Sequence, residues 1–224
     1  MKDNFLQTNA NYYEAQAFQA SFDDSSLTNI NEWIEKQTDG EIKQALDQMD
    51  PNAVMYLMNT LLFKEKWETP YKQNDVRSGT FTMEDGTELA VEMMHSDEDF
   101  YYEDEGTLVF QKNYKNDAYG FVALLPKKDQ PINGYIQNLS TEKLMNLFNH
   151  KVSDSMSVNL PKFTYDDSME LKQPLMDMGI TDAFDADKAD FCNMITNTTV
   201  PLYLNRILQK TKIQVNENGT VAGQ

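Results

Sequence analysis

One cysteine, two histidines and no apolar run long enough to cross a bilayer define what this 224-residue chain does without. A lone thiol, Cys192, can close no internal disulfide. In "KADFCNM" it reads as a small buried apolar side chain and not as a nucleophile. His95 and His150 stand in no spacing that suits a zinc centre. Basic residues are scarce too: 19 Lys and Arg against 36 Asp and Glu leave a formal net charge of −17. Phosphate backbones and anionic bilayers are bound through Lys and Arg excess, so nucleic acid and membrane are set aside as partners. No stretch reaches the roughly 18 apolar residues of a membrane-spanning helix, and "MKDNFLQTNANYYEAQAF" has no apolar run of leader type. G-x-S-x-G, H-E-x-x-H, a Gly-rich phosphate loop and a dinucleotide fingerprint are all missing. These absences point away from a turnover enzyme and imply no cofactor.

What is there suffices for a core: 40% of residues are apolar and 11% aromatic. Residues 3–13 predict a helix with Phe5, Leu6, Tyr12 and Tyr13 on its apolar side, and "EAQAFQASF" alternates as a short strand. Leu27, Ile30, Trp33 and Ile34 recur at helical spacing behind capping candidates at Asp24 to Ser26. Gly40 closes that amphipathic helix over residues 25–40. "AVMYLMNTLLF", residues 53–63, is a nearly continuous apolar run and predicts a central strand covered on both faces. From Gly79 to Leu125 the pattern is β: two strands flank the Asp85-Gly86 turn, and three more are separated by "DEG" and "KNDAYG". "TEKLMNLFNH" and "SMELKQPLMDMGI" are helical, with Pro174 confined to a first turn. "SDSMSVNLPKFTYDD" and "VPLYLNRILQKTKIQV" are extended. No repeat, linker or low-complexity block divides the chain, and the class is α+β with antiparallel hairpins.

Two acidic stretches read as solvated turns. "SDEDFYYEDEG" holds Asp97, Glu98, Asp99, Glu103, Asp104 and Glu105, and "TDAFDADKADF" holds Asp182, Asp185, Asp187 and Asp190. Neither has the ligand spacing of a calcium loop. Asn138, Asn197 and Asn218 begin N-x-Ser/Thr sequons, which have meaning only in a eukaryotic secretory pathway.

Four motifs, in order along the chain, resemble the serpin family of serine protease inhibitors. "NTLLFKEKWETPY" (59–71) is similar to its Asn–x–x–x–Phe–Lys–x–x–Trp–x–x–Pro–Phe/Tyr signature, and "VNLPKF" (158–163) to a strand carrying Pro-Lys-Phe. "LMDMGITDAFDADKADF" (175–191) resembles the Leu–x–x–Met/Leu–Gly–Ile–x–x–x–Phe segment. "LQKTKIQVNENGTVAGQ" (208–224) resembles the strand that leads into the reactive-centre loop.

The resemblance implies a serpin fold: a large mixed sheet with covering helices, plus antiparallel hairpin sheets. It implies that residues 1–224 are a partial domain, lacking the family's N-terminal helices and C-terminal strands. Residues 214–224 would be the strand running into the loop hinge, with the scissile bond about ten residues beyond Gln224. Serpins trap a protease when the cleaved loop inserts as a new strand into the central sheet. The implied hinge is Glu217, Asn218, Gly219, Thr220, Val221, Ala222, Gly223 and Gln224. Gly219 supplies backbone freedom, β-branched Thr220 enters the sheet first, Ala222 and Gly223 slide in without overpacking, and Val221 faces away from the core. Asn59 matches the family's shutter asparagine, with Gln209 where many members have histidine. Trp67 matches the breach tryptophan, and Lys162 is the expected ion-pair partner of Glu217. The amphipathic helix matches the one lying across the front of the sheet.

The function so implied is that of an inhibitory serpin whose partner is a serine or cysteine protease, acting as a monomer when full length, extracellular or at the cell surface. Residues 1–224 by themselves would be inactive. The alternative is a non-inhibitory serpin with a binding, carrier or structural role.

Overall fold

Alternating side chains on either side of Asp85-Gly86 produce a seven-pair hairpin in the computed structural model, which describes residues 1–115, 117–127, 130–195 and 201–224. In chain order the first elements are α1 (Asp3–Tyr13), α2 (Asp24–Gln37), β1 (Leu62–Lys66), β2 (Val76–Thr82) and β3 (Glu88–Glu98). Next come β4 (Tyr101–Glu103), β5 (Thr107–Asn113), β6 (Gly120–Pro126), α3 (Ile132–Gln137) and α4 (Thr141–Leu147). The remainder are β7 (Lys151–Val152), β8 (Met156–Pro161), β9 (Phe163–Glu170), α5 (Lys172–Asp177), β10 (Leu208–Asn216) and β11 (Gly219–Gly223). Among the described residues the strands form three sheets, ordered β1-β11-β10-β9, β2-β3-β8 and β6-β5-β4-β7. The fold is α+β.

The chain divides into two units. One unit comprises Phe63–Tyr165 with Ile213–Ala222. Here β2 and β3 pair antiparallel from Val76↔Met94 to Thr82↔Glu88, and Gly86 takes φ +83°, which only glycine adopts without strain. The other edge of β3 pairs with β8, from Met93↔Pro161 to Glu98↔Met156. The core is a cluster of Trp67, Tyr71, Met94, Phe110, Tyr114, Leu160 and Val215, flanked by Phe63, Val76, Phe121 and Ile213. Aromatic rings supply most of its bulk, and each buries about 150–250 Å². Part of "SDEDFYYEDEG" is strand and not solvated turn: Ser96–Glu98 closes β3, and Tyr101–Glu103 is β4. Glu98 is drawn in by the buried Lys112 ammonium at 3.1 Å.

The other unit comprises Met1–Leu62, Asp166–Lys212 and Gly223–Gln224. Helix α1 has the predicted bounds but buries no residue; Tyr12 and Tyr13 are exposed. Helix α2 starts one residue before the reading and ends three before it. Asp23, not the later candidates, is its N-cap and accepts from the Ser26 amide at 3.0 Å. Thr38, fully buried, ends it: its hydroxyl donates to the Ile34 carbonyl at 2.8 Å and accepts from the Ile42 amide at 3.1 Å. All four predicted apolar positions of α2 are at least half-buried.

Four further sequence expectations need correction. The strand over 14–22 does not form; that stretch has no regular structure and Phe18 is exposed. The buried strand over 53–63 shrinks to β1, and Leu57 is 85% exposed. Both depend on a neighbouring strand that the described residues do not provide, because strand pairing is the unit of sheet stability. Of the extended reading 200–215, Val200 lies outside the described residues, 201–207 have no regular structure, and the strand begins at Leu208. Cys192 is exposed, not buried, because it sits in a turn where its amide donates to Asp190 at 3.0 Å. That carboxylate raises the thiol above its ordinary value, which opposes thiolate formation. Helix α3 was not foreseen. Asn138 caps its C-terminus, Asn218 lies in an exposed turn, and Asn197 falls outside the described residues.

Candidate functional site

Strand β10 ends in "NEN", and the Asn216 side chain makes the reversal: its Oδ1 accepts from the Asn218 amide at 2.9 Å. The chain then re-enters the sheet as β11, which occupies the position between β1 and β10. Residues 219–223, expected from sequence as a hinge at the foot of a loop, form this interior strand.

Gly219 is needed here for closeness. Its φ is not in the left-handed region. A Cβ at this position would fall on the Glu65 carbonyl oxygen and lie 2.7 Å from the Lys66 Cα. Thr220 follows, 3% exposed, with its Oγ1 accepting from the Tyr114 hydroxyl at 2.7 Å. Val221 and Ala222 are half-buried. In the other unit, Gly223 is buried with Glu41 Cβ 3.4 Å from where its own Cβ would be, and Leu61 and Gln224 exchange backbone hydrogen bonds of 2.8 and 2.9 Å.

Trp67 anchors the turn and is 1% exposed. Its indole Nε1 donates to the Asn216 carbonyl at 2.8 Å, and its amide donates to the Asn218 carbonyl at 3.0 Å. The ring stacks on Tyr114, 4.7 Å between centroids and 8° from parallel. The Tyr71 amide holds the Glu217 carbonyl at 3.0 Å. Burial raises the Tyr114 phenol above its ordinary value, so the hydroxyl is neutral and free to donate.

Lys162 and Glu217 meet as the resemblance implies, with Nζ 2.8 Å from Oε2. The contact is short enough for a charge-assisted hydrogen bond. A second carboxylate, Glu92, lies 3.0 Å from the same Nζ. The Glu217 contact, then the Glu92 contact, raises the ammonium above its usual range, while Lys162 lowers Glu217.

Asn59 and Gln209 do not come together: Asn59 is exposed outside any strand, Gln209 is half-buried within β10, and no hydrogen bond joins them. Sequence reasoning missed Tyr114, Asn216 and Glu92. The alternation Phe110, Lys112, Tyr114 on one face was the available signal for Tyr114. Among the described residues no group of His, Cys, Asp and Glu side chains is placed to hold a metal ion.

The whole chain, residues 1–224, matches the family model described as serpin (serine protease inhibitor). An uncharacterized serpin-like protein of Thermococcus kodakarensis is 30% identical over 99% of this chain and 52% of its own length. Antithrombin-III of Ovis aries is 29% identical over 92% of this chain and 45% of its own. The chain thus spans about half the length of the curated relatives it matches. Among solved structures, tengpin, a thermophilic serpin in the latent state, superposes with a TM-score of 0.91 at 39% identity, covering 99% of this chain and 60% of tengpin. Thyroxine-binding globulin complexed with a thyroxine-fluorescein conjugate superposes at 0.88 with 26% identity, covering 99% and 66%. By family model, by relatives and by fold, this chain belongs to the serpins.

Proposed function

We propose that a protein carrying this chain inhibits a serine or cysteine protease as a suicide substrate, its cleaved loop entering the sheet along the path that β11 begins. In this reading residues 1–224 are part of a longer domain, and Glu217 to Gln224 are the hinge of its loop. The supporting observation is Thr220, buried in an interior strand with its hydroxyl paired to Tyr114. A strand position flanked by Gly219, Ala222 and Gly223 accepts a moving chain, because small residues avoid overpacking. A charged residue at 220 would be buried unpaired, at a cost of several kcal/mol, and a bulky one would overpack the strand.

Trp67 and Lys162 act in this reading as the breach, the point where the hinge enters, and both touch the turn that precedes β11. A shutter role for Asn59 and Gln209 rests on sequence resemblance alone.

A second reading is a binding or carrier role. Its support is the likeness to thyroxine-binding globulin, at 26% identity. One experiment separates the two. The full-length protein is incubated with a panel of serine and cysteine proteases and run on a denaturing gel. A detergent-stable band near the summed masses is the expected result. Rapid loop cleavage without that band would favour the carrier role.

A further inference from the structure

We propose that Glu92 is a positioning residue that competes with Glu217 for the Lys162 ammonium and so eases the hinge's departure from the sheet. The inference rests on reading residues 217–224 as a hinge, and it adds a third member to the ion pair.

Lys162 Nζ stands 2.8 Å from Glu217 Oε2 and 3.0 Å from Glu92 Oε2. The two carboxylates differ in how they are held. Glu92 belongs to β3, in register with Ser78 of β2, and its own carbonyl accepts from the Lys162 amide at 2.8 Å. Glu92 and Lys162 therefore stay together whatever the hinge does. Glu217 lies beyond the end of β10, in the two-residue turn that leads into β11. It is the member that moves when β11 opens.

An ammonium is a compact point charge with three donors, and it can hold two carboxylates at once. With Glu92 present, the departure of Glu217 leaves Lys162 still paired. The two carboxylates also repel each other across the shared cation, which weakens each contact. Without Glu92, opening would strand a cation that is only 26% exposed. Glu92 itself is 64% exposed, so solvent screens its effect and the consequence is modest. None of the family motifs in this sequence includes Glu92.

The test is amide hydrogen exchange in the full-length protein, read at residues 219–223 against β5 amides as an internal reference. Glu92→Gln is expected to raise hinge protection about two- to fivefold, the range of an exposed ion pair. In a Lys162→Met background the same substitution should change nothing. Unaltered or lower hinge protection in Glu92→Gln overturns the inference. An equal rise with and without Lys162 overturns it too, since the effect would then bypass the ammonium. A shift in the β5 reference would mean that Glu92 supports the sheet in general, which also overturns it. Protease trapping is not part of this readout. A full-length protein that forms no trapped complex but shows the Lys162-dependent rise would refute the inhibitory reading and leave Glu92's role standing.

Discussion

The Tyr114 hydroxyl donates to Thr220 Oγ1 at 2.7 Å, and both residues are buried, 4% and 3% exposed. The pair links β11 to the residue just beyond the end of β5, across 106 positions of sequence. Removing one partner strands the other, and that costs more than removing both. Tyr114→Phe should therefore destabilise the protein by about 1–3 kcal/mol. Adding Thr220→Val should restore most of the loss. Denaturant midpoints of the two single variants and the double variant measure this as a cycle.

Gly219 and Gly223 should respond differently to the same methyl group. At Gly219 the obstacles are backbone atoms of Glu65 and Lys66, which cannot swing aside. At Gly223 the nearest atoms belong to the Glu41 and Ile42 side chains, 3.4 and 3.7 Å away. Gly219→Ala is expected to cost about 1–3 kcal/mol by overpacking and to expose the start of β11 to exchange. Gly223→Ala should be close to neutral. Equal losses at both sites would contradict the close-approach account.

The Lys162–Glu217 contact gives stability a defined pH window. Glu217 is lowered from an ordinary value of 4.5, so its contribution is present above that value and is lost as pH falls through the lower folded one. Lys162 is raised from 10.5, so its contribution is complete below that value and is lost as pH rises through the higher folded one. The stability difference between the protein and its Glu217→Gln variant should be flat between about pH 5 and pH 10 and should shrink toward both extremes. Denaturation midpoints across pH give the curve. A difference that grows toward acid would have the wrong sign.

Reversing the charges tests the same contact in function. Lys162→Glu or Glu217→Lys alone should impair trapping, because each brings like charges together beside Glu92. The double reversal sets a lysine at 217 between carboxylates at 92 and 162 and should restore most of the activity. The number of inhibitor molecules consumed per trapped protease is the quantity to compare. Similar values for single and double variants would count against the pair.

Much of the fold was legible where the signal was local. The Asp85-Gly86 turn with its alternating flanks specified β2 and β3, and the bounds of α1 matched because helical periodicity needs no distant partner. Legibility failed where the answer lay across the chain. The apolar run at 53–61 resembles a buried strand, yet a strand forms only beside another, and the sequence does not announce its neighbour. Helix α3 was hidden by Gly134 in its interior, a residue about 1 kcal/mol worse than alanine for helix formation. Trp67, Lys162 and Glu217 were found because family motifs include them. Tyr114 sits at the edge of a polar turn, and Glu92 in an ordinary strand alternation; only their partners, at 220 and 162, identify them.

The most direct test of the account is how a protease-challenged loop partitions when residue 220 carries a charge. Full-length protein and its Thr220→Arg variant are mixed with a protease that cleaves the loop, and trapped complex is measured against cleaved, released protein. The account predicts that the unaltered protein forms complex, while Thr220→Arg is cleaved at a similar rate and released, because an unpaired guanidinium cannot take the place of Thr220 beside Tyr114. Equal trapping by both proteins would contradict the claim that residues 219–223 enter the sheet as a strand in the course of inhibition.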